Sequence, residues 1–361
     1  MLARFLETPR NRVIAVVAAI LLAAGLGVGL ATLSGDDEAA PTTTTTTTTT
    51  EPTTTTTAAP APVAPLTGLP DDGSGRTARP ALVVKFDNVE PKARPQAGLN
   101  QADVVYEERV EGSVTRLLAV FHSTDAAPVG PVRSARTSDI AIFTPLNRPY
   151  FAWSGANASF AARIRESAVV DVGYDVQSGL YFRDGGRPAP SNLMAKGTAD
   201  LLAVPSEGSG PPPALFTYRA EGEQTPNLEP VTAVRVTYGS SAGAAPVEYR
   251  WNGTGWARTQ KGTPHVDAAG VQVAPENVIV QFTPYVGSGV ADQFGKEIPE
   301  AAMVGEGDAW ILTNGGLVAA RWHKPSLEAV TTYTDAAGNP VKLTPGRTWV
   351  ALPPPGEGAK L

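Results

Sequence analysis

Two basic loops contain the side chains that are best suited to bind a ligand. One reads Gly-Pro-Val-Arg-Ser-Ala-Arg over residues 130–136, and the other reads Lys-Ala-Arg-Pro-Gln over residues 92–96. Guanidinium groups hold phosphate or carboxylate through paired hydrogen bonds. We therefore expect an anion-binding groove between the two loops, formed by Lys92, Arg94, Gln96, Arg116, Arg133, Ser134 and Arg136.

Acidic residues near these arginines leave a second explanation open. Asp87, Asp103, Glu107 and Glu111 could pair with the arginines inside the fold, which would make the basic residues structural. The two explanations differ in a testable way, because removing one partner of a buried ion pair costs about 3–5 kcal/mol. Loss of a ligand-binding arginine would instead leave the fold intact.

The acidic residues also allow a weaker, enzymatic hypothesis. Glycan hydrolysis uses two carboxyl groups about 5–10 Å apart. On a strand, Glu107 and Glu108 would point to opposite faces, whereas Glu107 and Glu111 would share a face but lie about 13 Å apart at about 3.3 Å per residue. A carboxylate from elsewhere would be needed. An envelope transferase or hydrolase, with Asp87 or Glu107 as its base, is therefore the alternative to a binding protein.

Composition excludes several other classes of function. The 361 residues contain no cysteine, which rules out disulfides, thiolate nucleophiles and cysteine-based zinc sites. The three histidines, His122, His265 and His323, show no ligand spacing, and we expect neither a metal nor a cofactor. The net charge of −6, without a long basic run, argues against nucleic-acid binding.

The N-terminal residues predict where the protein lies. Residues 1–12 contain three arginines, and residues 13–33 carry no charge. About 20 apolar residues suffice to span a bilayer, and arginines before the span keep that end in the cytoplasm. We therefore expect a cytoplasmic tail, a transmembrane helix or signal anchor over residues 13–33, and a single-pass cell-membrane protein whose folded part is extracytoplasmic. A cleavable signal peptide is the other interpretation.

A threonine- and proline-rich stretch separates this segment from the folded part. Residues 34–64 include an unbroken threonine run at residues 42–50. Such a sequence cannot bury enough apolar surface to offset the entropy of ordering. It predicts a disordered stalk that is either O-glycosylated or a plain spacer.

Hydrophobic patterns predict the elements that position the basic loops. Short apolar runs indicate strands at residues 81–86, 103–111, 115–122, 150–153 and 169–172, and helices are expected at 137–146 and 159–166. The first helix would begin beside Arg136 and add free N–H groups to the groove. A loop is expected at residues 179–192. Together these elements predict an N-terminal α/β domain, residues 65–204, on a mixed, mostly antiparallel sheet.

The second half of the chain is rich in strand patterns. After a linker at residues 205–230, strands are expected at 231–238, 247–251, 255–259, 277–282, 309–313, 317–322, 330–333 and 348–352. Asn252-Gly253 is the strongest hairpin signal. We predict an α+β protein overall, with a β-rich C-terminal domain at residues 231–353 and a tail at residues 354–361.

Several motifs spread over the folded region match a known family. They are Pro65-Leu66-Thr67-Gly68, residues 92–96 followed by Gly98-Leu99, residues 101–107, residues 130–136 and Pro345-Gly346-Arg347-Thr348-Trp349. From about residue 65 to residue 353, the chain resembles the YerB-like family of bacterial surface lipoproteins, which has an N-terminal and a C-terminal domain of unknown function. The resemblance implies a fold and a place at the cell envelope but no activity.

Two departures from the family pattern bear on function. The family's lipid-modified cysteine is missing, so the apolar helix must attach the protein to the membrane. Where the family often has Pro-His-Asn, this chain has Pro190-Ser191-Asn192, so a histidine at that step cannot serve it. We expect a binding or scaffolding component of the bacterial cell envelope. Its expected partners are the membrane and a cell-wall or phosphorylated envelope ligand, or a protein if the arginines are structural.

Overall fold

Extended segments dominate the computed structural model, which describes residues 62–239, 244–292 and 294–361. The α-helices of these segments are short: α1 (Ser138–Phe143), α2 (Ala158–Glu166) and α3 (Thr198–Leu202). None of these described helices is long and apolar enough to cross a membrane. The expected span at residues 13–33, the tail before it and the threonine runs lie outside the described residues.

The strands of the first half follow the apolar runs of the sequence. They are β1 (Leu82–Asp87), β2 (Val104–Arg109), β3 (Thr115–Phe121), β4 (Tyr150–Ala152), β5 (Val170–Asp171), β6 (Tyr181–Arg183), β7 (Leu193–Ala195) and β8 (Thr217–Tyr218). The five predicted strands are confirmed to within about two residues. The loop expected at residues 179–192 is wrong in part, because β6 lies within it and pairs with β7.

The second half is built from strands, as its patterns predict. They are β9 (Glu229–Pro230), β10 (Ala233–Val236), β11 (Val247–Trp251), β12 (Trp256–Gln260), β13 (Thr263–Pro264), β14 (Asn277–Gln281), β15 (Tyr285–Ala291), β16 (Glu297–Ala301), β17 (Gly305–Thr313), β18 (Gly316–Lys324), β19 (Thr332–Thr334), β20 (Lys342–Leu343), β21 (Thr348–Leu352) and β22 (Gly358–Lys360). The hairpin at Asn252-Gly253 is confirmed, since it joins β11 to β12 and Gly253 has a φ of 103°. The hairpin of β15 and β16 was not predicted.

One sheet of eleven strands unites both halves of the sequence. Its order is β19-β18-β17-β14-β21-β2-β3-β1-β4-β5, and β9 pairs with β18. Strand β21 lies between β14 and β2 and runs parallel to both, which places Trp349 opposite Val105. The sheet is mixed, as expected. The two halves are therefore joined by a continuous hydrogen-bonded ladder, and the described residues belong to one compact unit.

The two faces of this sheet are covered differently. Val105 of β2 faces a core that also contains Tyr249 and Trp256 of a second, five-stranded sheet with the order β13-β12-β11-β10-β22. Side chains alternate along a strand, and the residues on either side of Val105 face a core shared with α1 and α2. Glu107 and Glu108 consequently lie on opposite faces, as predicted, and each takes part in a different polar cluster.

Three segments that were expected to be irregular contain ordered structure. The linker at residues 205–230 supplies β8 and β9, and the tail at residues 354–361 supplies β22, which pairs with β10. At the end of the expected stalk, Ala64 is buried and donates its N–H to the carbonyl oxygen of Leu69 at 2.8 Å. These strands and the burial of Ala64 were not predicted, because backbone pairing, rather than an apolar pattern, holds such short segments.

Candidate functional site

The two basic loops lie side by side at the end of β1. Ala97 and Gly130 exchange backbone hydrogen bonds of 2.8 and 3.1 Å, and the N–H of Arg133 donates to the carbonyl oxygen of Lys85 at 2.8 Å. The side chains of the loops, however, extend toward opposite faces of the large sheet. The single groove expected between the loops is therefore corrected to two separate clusters.

The first cluster, the Glu107 network, consists of Glu107, Arg258, His265, Gln96 and Asn88. Glu107 is fully buried and lies 2.7 Å from Arg258 Nη2. Its other donors are Thr115, Tyr249, Trp349 and Asn88. Arg258 Nη1 lies 2.7 Å from His265 Nδ1, His265 Nε2 lies 2.8 Å from Gln96 Oε1, and Gln96 donates to Asn88 Oδ1 at 3.0 Å. The network joins the large sheet to the five-stranded sheet through their shared core.

The histidine of this network is neutral. Burial, together with the charges of Arg258 and Arg94, lowers the pKa of His265 well below its ordinary value. Its Nδ1 can then accept from Arg258 while its Nε2–H donates to Gln96, which satisfies both ring nitrogens. Within the described residues, the one nitrogen of the Arg258 and His265 side chains left without a hydrogen-bond partner is Arg258 Nε.

The predicted ligand residues of the first loop belong to this network or face solvent. Arg94 donates to Asn88 Oδ1 at 2.8 Å and to Glu90 Oε1 at 2.6 Å. Burial and the nearby Arg258 lower the pKa of Arg94 to about 9. Lys92 is exposed. Arg94 and Gln96 therefore act inside the fold and do not lie with the arginines of the second loop.

The second cluster, the arginine cluster, consists of Arg116, Arg133, Ser134 and Arg136 with the carboxylates Asp87 and Glu111. Arg136 Nη2 lies 2.6 Å from Glu111 Oε2, and Arg133 Nε lies 3.2 Å from Asp87 Oδ2. Ser191 donates its hydroxyl to the same Asp87 oxygen at 2.7 Å. Two of the predicted acidic partners, Asp87 and Glu111, thus contact arginines of this cluster. Ser191, which stands where the family often has histidine, donates to Asp87.

Arg116 differs from its neighbours because no carboxylate among the described residues lies within 4.0 Å of its guanidinium. The side chain is 8% exposed, Nη1 donates to the carbonyl oxygen of Ser134 at 3.1 Å, and Nε is buried without a hydrogen-bond partner. Burial lowers the pKa of Arg116 to about 9, and the charges of Arg136 and Arg133 add to this effect. Three guanidinium groups thus share two carboxylates, which leaves one positive charge in excess.

Side chains at the start of α1 form hydrogen bonds within the fold. The N–H of Arg136 donates to Asp139 Oδ2 at 2.8 Å, and the hydroxyl of Ser138 donates to Glu108. Both residues at the start of the helix are buried. The N–H of Arg136 is therefore not free for a ligand, because the side chain of Asp139 accepts from it. The contribution of the N–H groups within the helix stays a prediction.

A third ionic group, the Lys85 triad, consists of Lys85, Glu108 and Asp139 and was not predicted. Lys85 Nζ lies 2.7 Å from Asp139 Oδ1 and also donates to Glu108, and all three side chains are at most 1% exposed. Burial raises the pKa of Asp139 to about 7, with Glu108 adding to the rise and Lys85 opposing it. Burial alone would raise the pKa of Glu108, but the charge and the hydrogen bond of Lys85 oppose burial, and the pKa of Glu108 is lowered. The only sequence signal for the triad was a lysine inside the apolar run of residues 81–86.

Asp103 contacts no arginine among the described residues and therefore does not act there as the predicted acidic partner. Its Oδ2 accepts from the N–H groups of His122 at 2.6 Å and Ser123 at 2.8 Å, and its Oδ1 accepts from the hydroxyl of Ser123. Burial raises the pKa of Asp103 in spite of these bonds. The carboxylate ties the start of β2 to the residues that follow β3.

We expect Asp103→Ala to lower the free energy of unfolding by about 1–3 kcal/mol, because buried N–H groups would lose their acceptor. Urea denaturation measures this loss. Asp335→Ala is the matched control, since Asp335 accepts from the N–H groups of Ala337 and Asn339 in an exposed loop. Equal losses in both variants would show that burying the Asp103 contacts adds nothing to the free energy of unfolding.

The carboxylates considered as catalytic bases do not face solvent. Glu107 and Asp87 are both fully buried. Glu107 accepts from five side chains, and Asp87 accepts from Ser191 and from the N–H of Val89 at 3.2 Å. A general base must come within hydrogen-bond reach of its substrate. The enclosed positions of both carboxylates count against either of them as the base of the enzymatic alternative.

Family comparisons identify the group to which this fold belongs. A family model described as "Protein of unknown function (DUF3048) N-terminal domain" matches residues 66–207, and the model of the corresponding C-terminal domain matches residues 234–350. The chain belongs to the DUF3048 family. The DUF3048 matches cover both the loops at residues 92–96 and 130–136 and the Glu107–Arg258 pair.

A Bacillus subtilis (strain 168) protein with the name "Putative lipoprotein YerB" is 29% identical to this DUF3048 chain over 315 residues, which are 82% of this chain and 88% of that protein. A crystal structure of YerB from Bacillus subtilis matches with a TM-score of 0.70 at 24% identity, covering 82% of this chain and 99% of that one. The YerB-like family predicted from the motifs is confirmed, and the two proteins share a fold.

Proposed function

We propose that the protein is an extracytoplasmic component of the bacterial cell envelope that binds an anionic ligand through the arginine cluster. The observation that carries this proposal is Arg116, a buried guanidinium with no carboxylate partner in the described part of the chain. It lies beside Arg133 and Arg136, which carry the same charge. A bound anion would supply the missing countercharge, because charge-assisted hydrogen bonds from guanidinium groups to oxyanions are strong.

A phosphate group suits the cluster better than a carboxylate does. The Nε groups of Arg116 and Arg136 are buried without hydrogen-bond partners, and Arg133 Nε approaches Asp87 without forming an aligned hydrogen bond. Phosphate presents more acceptor oxygens than carboxylate and matches the forked geometry of guanidinium groups. With a side chain that is 26% exposed, Arg133 gives the cluster its contact with solvent. Phosphorylated envelope lipids and phosphate-bearing wall polymers carry this chemistry.

The place of the protein at the envelope is supported by its sequence and by its relative. Residues 13–33 form an uncharged stretch behind three arginines, and the name of the Bacillus subtilis relative contains the word lipoprotein. Because this chain has no cysteine to carry a lipid, we assign attachment to the apolar stretch. The threonine-rich residues would then hold the folded part away from the membrane surface.

Inorganic phosphate should raise the unfolding midpoint of the full-length protein in detergent, and Arg116→Gln should reduce this shift to about half or less. Phosphate at about 100 times its Kd would stabilise the folded protein by about 2.7 kcal/mol. Glutamine keeps a polar side chain but removes the charge, so we expect the Kd for phosphate to rise at least about tenfold. Thermal unfolding and isothermal titration calorimetry measure the two effects.

Arg321→Gln is the matched control for this experiment. Arg321 pairs with Glu306 and Asp308 on the exposed part of β18, so its loss should leave phosphate binding unchanged. Phosphorylated lipid vesicles and wall fragments, tested in parallel, distinguish the sources of the phosphate group. If none of these ligands shifts the wild-type midpoint while Arg116→Gln lowers it, the arginines are structural, and a protein partner becomes the better explanation.

A further inference from the structure

We infer that the Lys85 triad couples anion binding at the arginine cluster to the uptake of a proton, so that the site holds a doubly charged oxyanion more tightly as the pH falls. This inference rests on the proposed function, because it concerns the regulation of the same site. Ligand binding at the arginine cluster does not itself require the buried Lys85 triad, and the coupling gives the triad a role of its own.

The triad contains one more acidic group than basic groups. Two carboxylates, Glu108 and Asp139, share one ammonium group, that of Lys85, at positions with at most 1% exposure. With both carboxylates ionised the triad has a net charge of −1 in the interior, where an unbalanced charge is costly. Protonation of one carboxylate removes that charge. Burial places this step near neutrality, since it raises the pKa of Asp139 to about 7.

The triad contacts the arginine cluster through the backbone of Arg136. Asp139 Oδ2 accepts from the N–H of Arg136 at 2.8 Å, and the N–H of Asp139 donates back to the carbonyl oxygen of Arg136 at 3.1 Å. Glu108 lies directly opposite Arg116 in the pairing of β2 with β3. A charge change in the triad therefore occurs at the backbone of Arg136 and on the strand that pairs with Arg116. Asp139 itself faces Lys85 from β1, Glu108 from β2 and Arg136 from the preceding loop. Around the rest of the triad, Arg116 of β3 lies opposite both Glu108 of β2 and Asp87 of β1, and Tyr285 of β15 interacts with the charge of Glu108.

The sign of the coupling follows from charge. Below the pKa of Asp139 the triad is neutral, and the arginine cluster keeps its full excess of positive charge. Above that pKa the triad is negative and weakens the attraction for an anion. By linkage, an anion that binds the protonated form more tightly must itself raise the affinity of Asp139 for its proton. We expect the Kd for sulfate to be about five- to tenfold lower at pH 5.5 than at pH 8.5.

Sulfate is the probe for this test because it stays doubly charged over the whole range. Titration calorimetry of the full-length protein in detergent, at pH 5.5, 7.0 and 8.5, gives the Kd for wild type and for Asp139→Asn. Asparagine keeps the shape of the side chain but cannot titrate, so the variant should bind sulfate with a nearly constant, low Kd. A wild-type Kd that does not change with pH would overturn the coupling and leave the proposed function standing. A variant that keeps the full pH dependence would also overturn it.

A second measurement covers the case in which Asp139→Asn does not fold. The binding enthalpy of the wild-type protein at pH 7.0, measured in two buffers with different ionisation enthalpies, gives the number of protons taken up with sulfate. We expect a positive fraction of one proton, and a value of zero would contradict the coupling. Absence of sulfate binding at every pH would instead count against the arginine cluster as an anion site, and so against the proposed function itself.

Discussion

Arg258→Ala should lower the free energy of unfolding by about 3–5 kcal/mol, because the variant leaves Glu107 as an unpaired charge in the interior. Neither side chain of this pair has exposed surface, and Arg258 Nη2 lies 2.7 Å from Glu107 Oε1. The guanidinium also contacts His265 and lies 4.9 Å from the centre of the Trp349 ring. Alanine would remove all of these contacts between the two sheets. Urea denaturation followed by tryptophan fluorescence measures the loss.

Arg235→Ala is the control for this prediction. Arg235 belongs to the same five-stranded sheet, and its Nη2 lies 2.6 Å from Glu248 Oε1, but the two side chains are 47% and 27% exposed. Exposed ion pairs contribute at most about 1 kcal/mol, so the loss should be small. If both variants were equally stable, the Glu107 network would not be what joins the sheets. Folded Arg258→Ala protein should still respond to phosphate, because the arginine cluster lies on the other face of the large sheet.

The strands were predictable where the pattern of apolar side chains shows which of their faces are buried. The apolar runs at residues 81–86 and 115–122 gave β1 and β3, since strands covered on both faces need continuous apolar sequence. The position of β21 between β14 and β2 was not predictable. That position depends on pairing between Trp349 and Val105, 244 residues apart (349 − 105), and no local pattern encodes such a partner.

The candidate site was predictable in part for a similar reason. Arg133 and Arg136 stand out as basic residues in an acidic chain, and the structure brings Arg116 to them from β3. The face to which each loop side chain points is not encoded in the loop itself, which is why Arg94 and Gln96 were grouped with the wrong cluster. The role of Arg258 was not predictable, because its partner Glu107 is 151 residues away in the sequence.

The balance of charge separates the two clusters in function. In the Glu107 network, the buried guanidinium of Arg258 is paired with the carboxylate of Glu107. In the arginine cluster, Arg116 has no carboxylate partner among the described residues. The Nε groups of both arginines are buried without a hydrogen-bond partner in the described part of the chain, so the difference lies in the countercharge. Buried charges are usually paired. The arginine cluster is therefore the one that calls for an anionic ligand, whereas the Glu107 network stabilises the fold.

Lys85→Met should also lower the free energy of unfolding by about 3–5 kcal/mol at pH 8, because it leaves two carboxylates in the core without their ammonium partner. Methionine has a similar length and suits the apolar surroundings, so the loss reports mainly on charge. Lys342→Met is the matched control. Lys342 Nζ lies 2.6 Å from Glu223 Oε1, with side chains that are 45% and 34% exposed, and we expect a loss below about 1 kcal/mol.

The loss in Lys85→Met should shrink as the pH falls. Without the lysine, burial and mutual repulsion raise the pKa values of Glu108 and Asp139 in the folded variant above their values in the unfolded chain. The folded state then binds more protons than the unfolded state, so stability falls as the pH rises from about 4 toward the raised pKa values, by about 1.4 kcal/mol per pH unit for each proton. Urea denaturation at pH 5.5 and pH 8 compares the two conditions. The same loss at both pH values would mean that the carboxylates keep their charge without Lys85, and the triad would then be unable to take up the proton that anion binding requires.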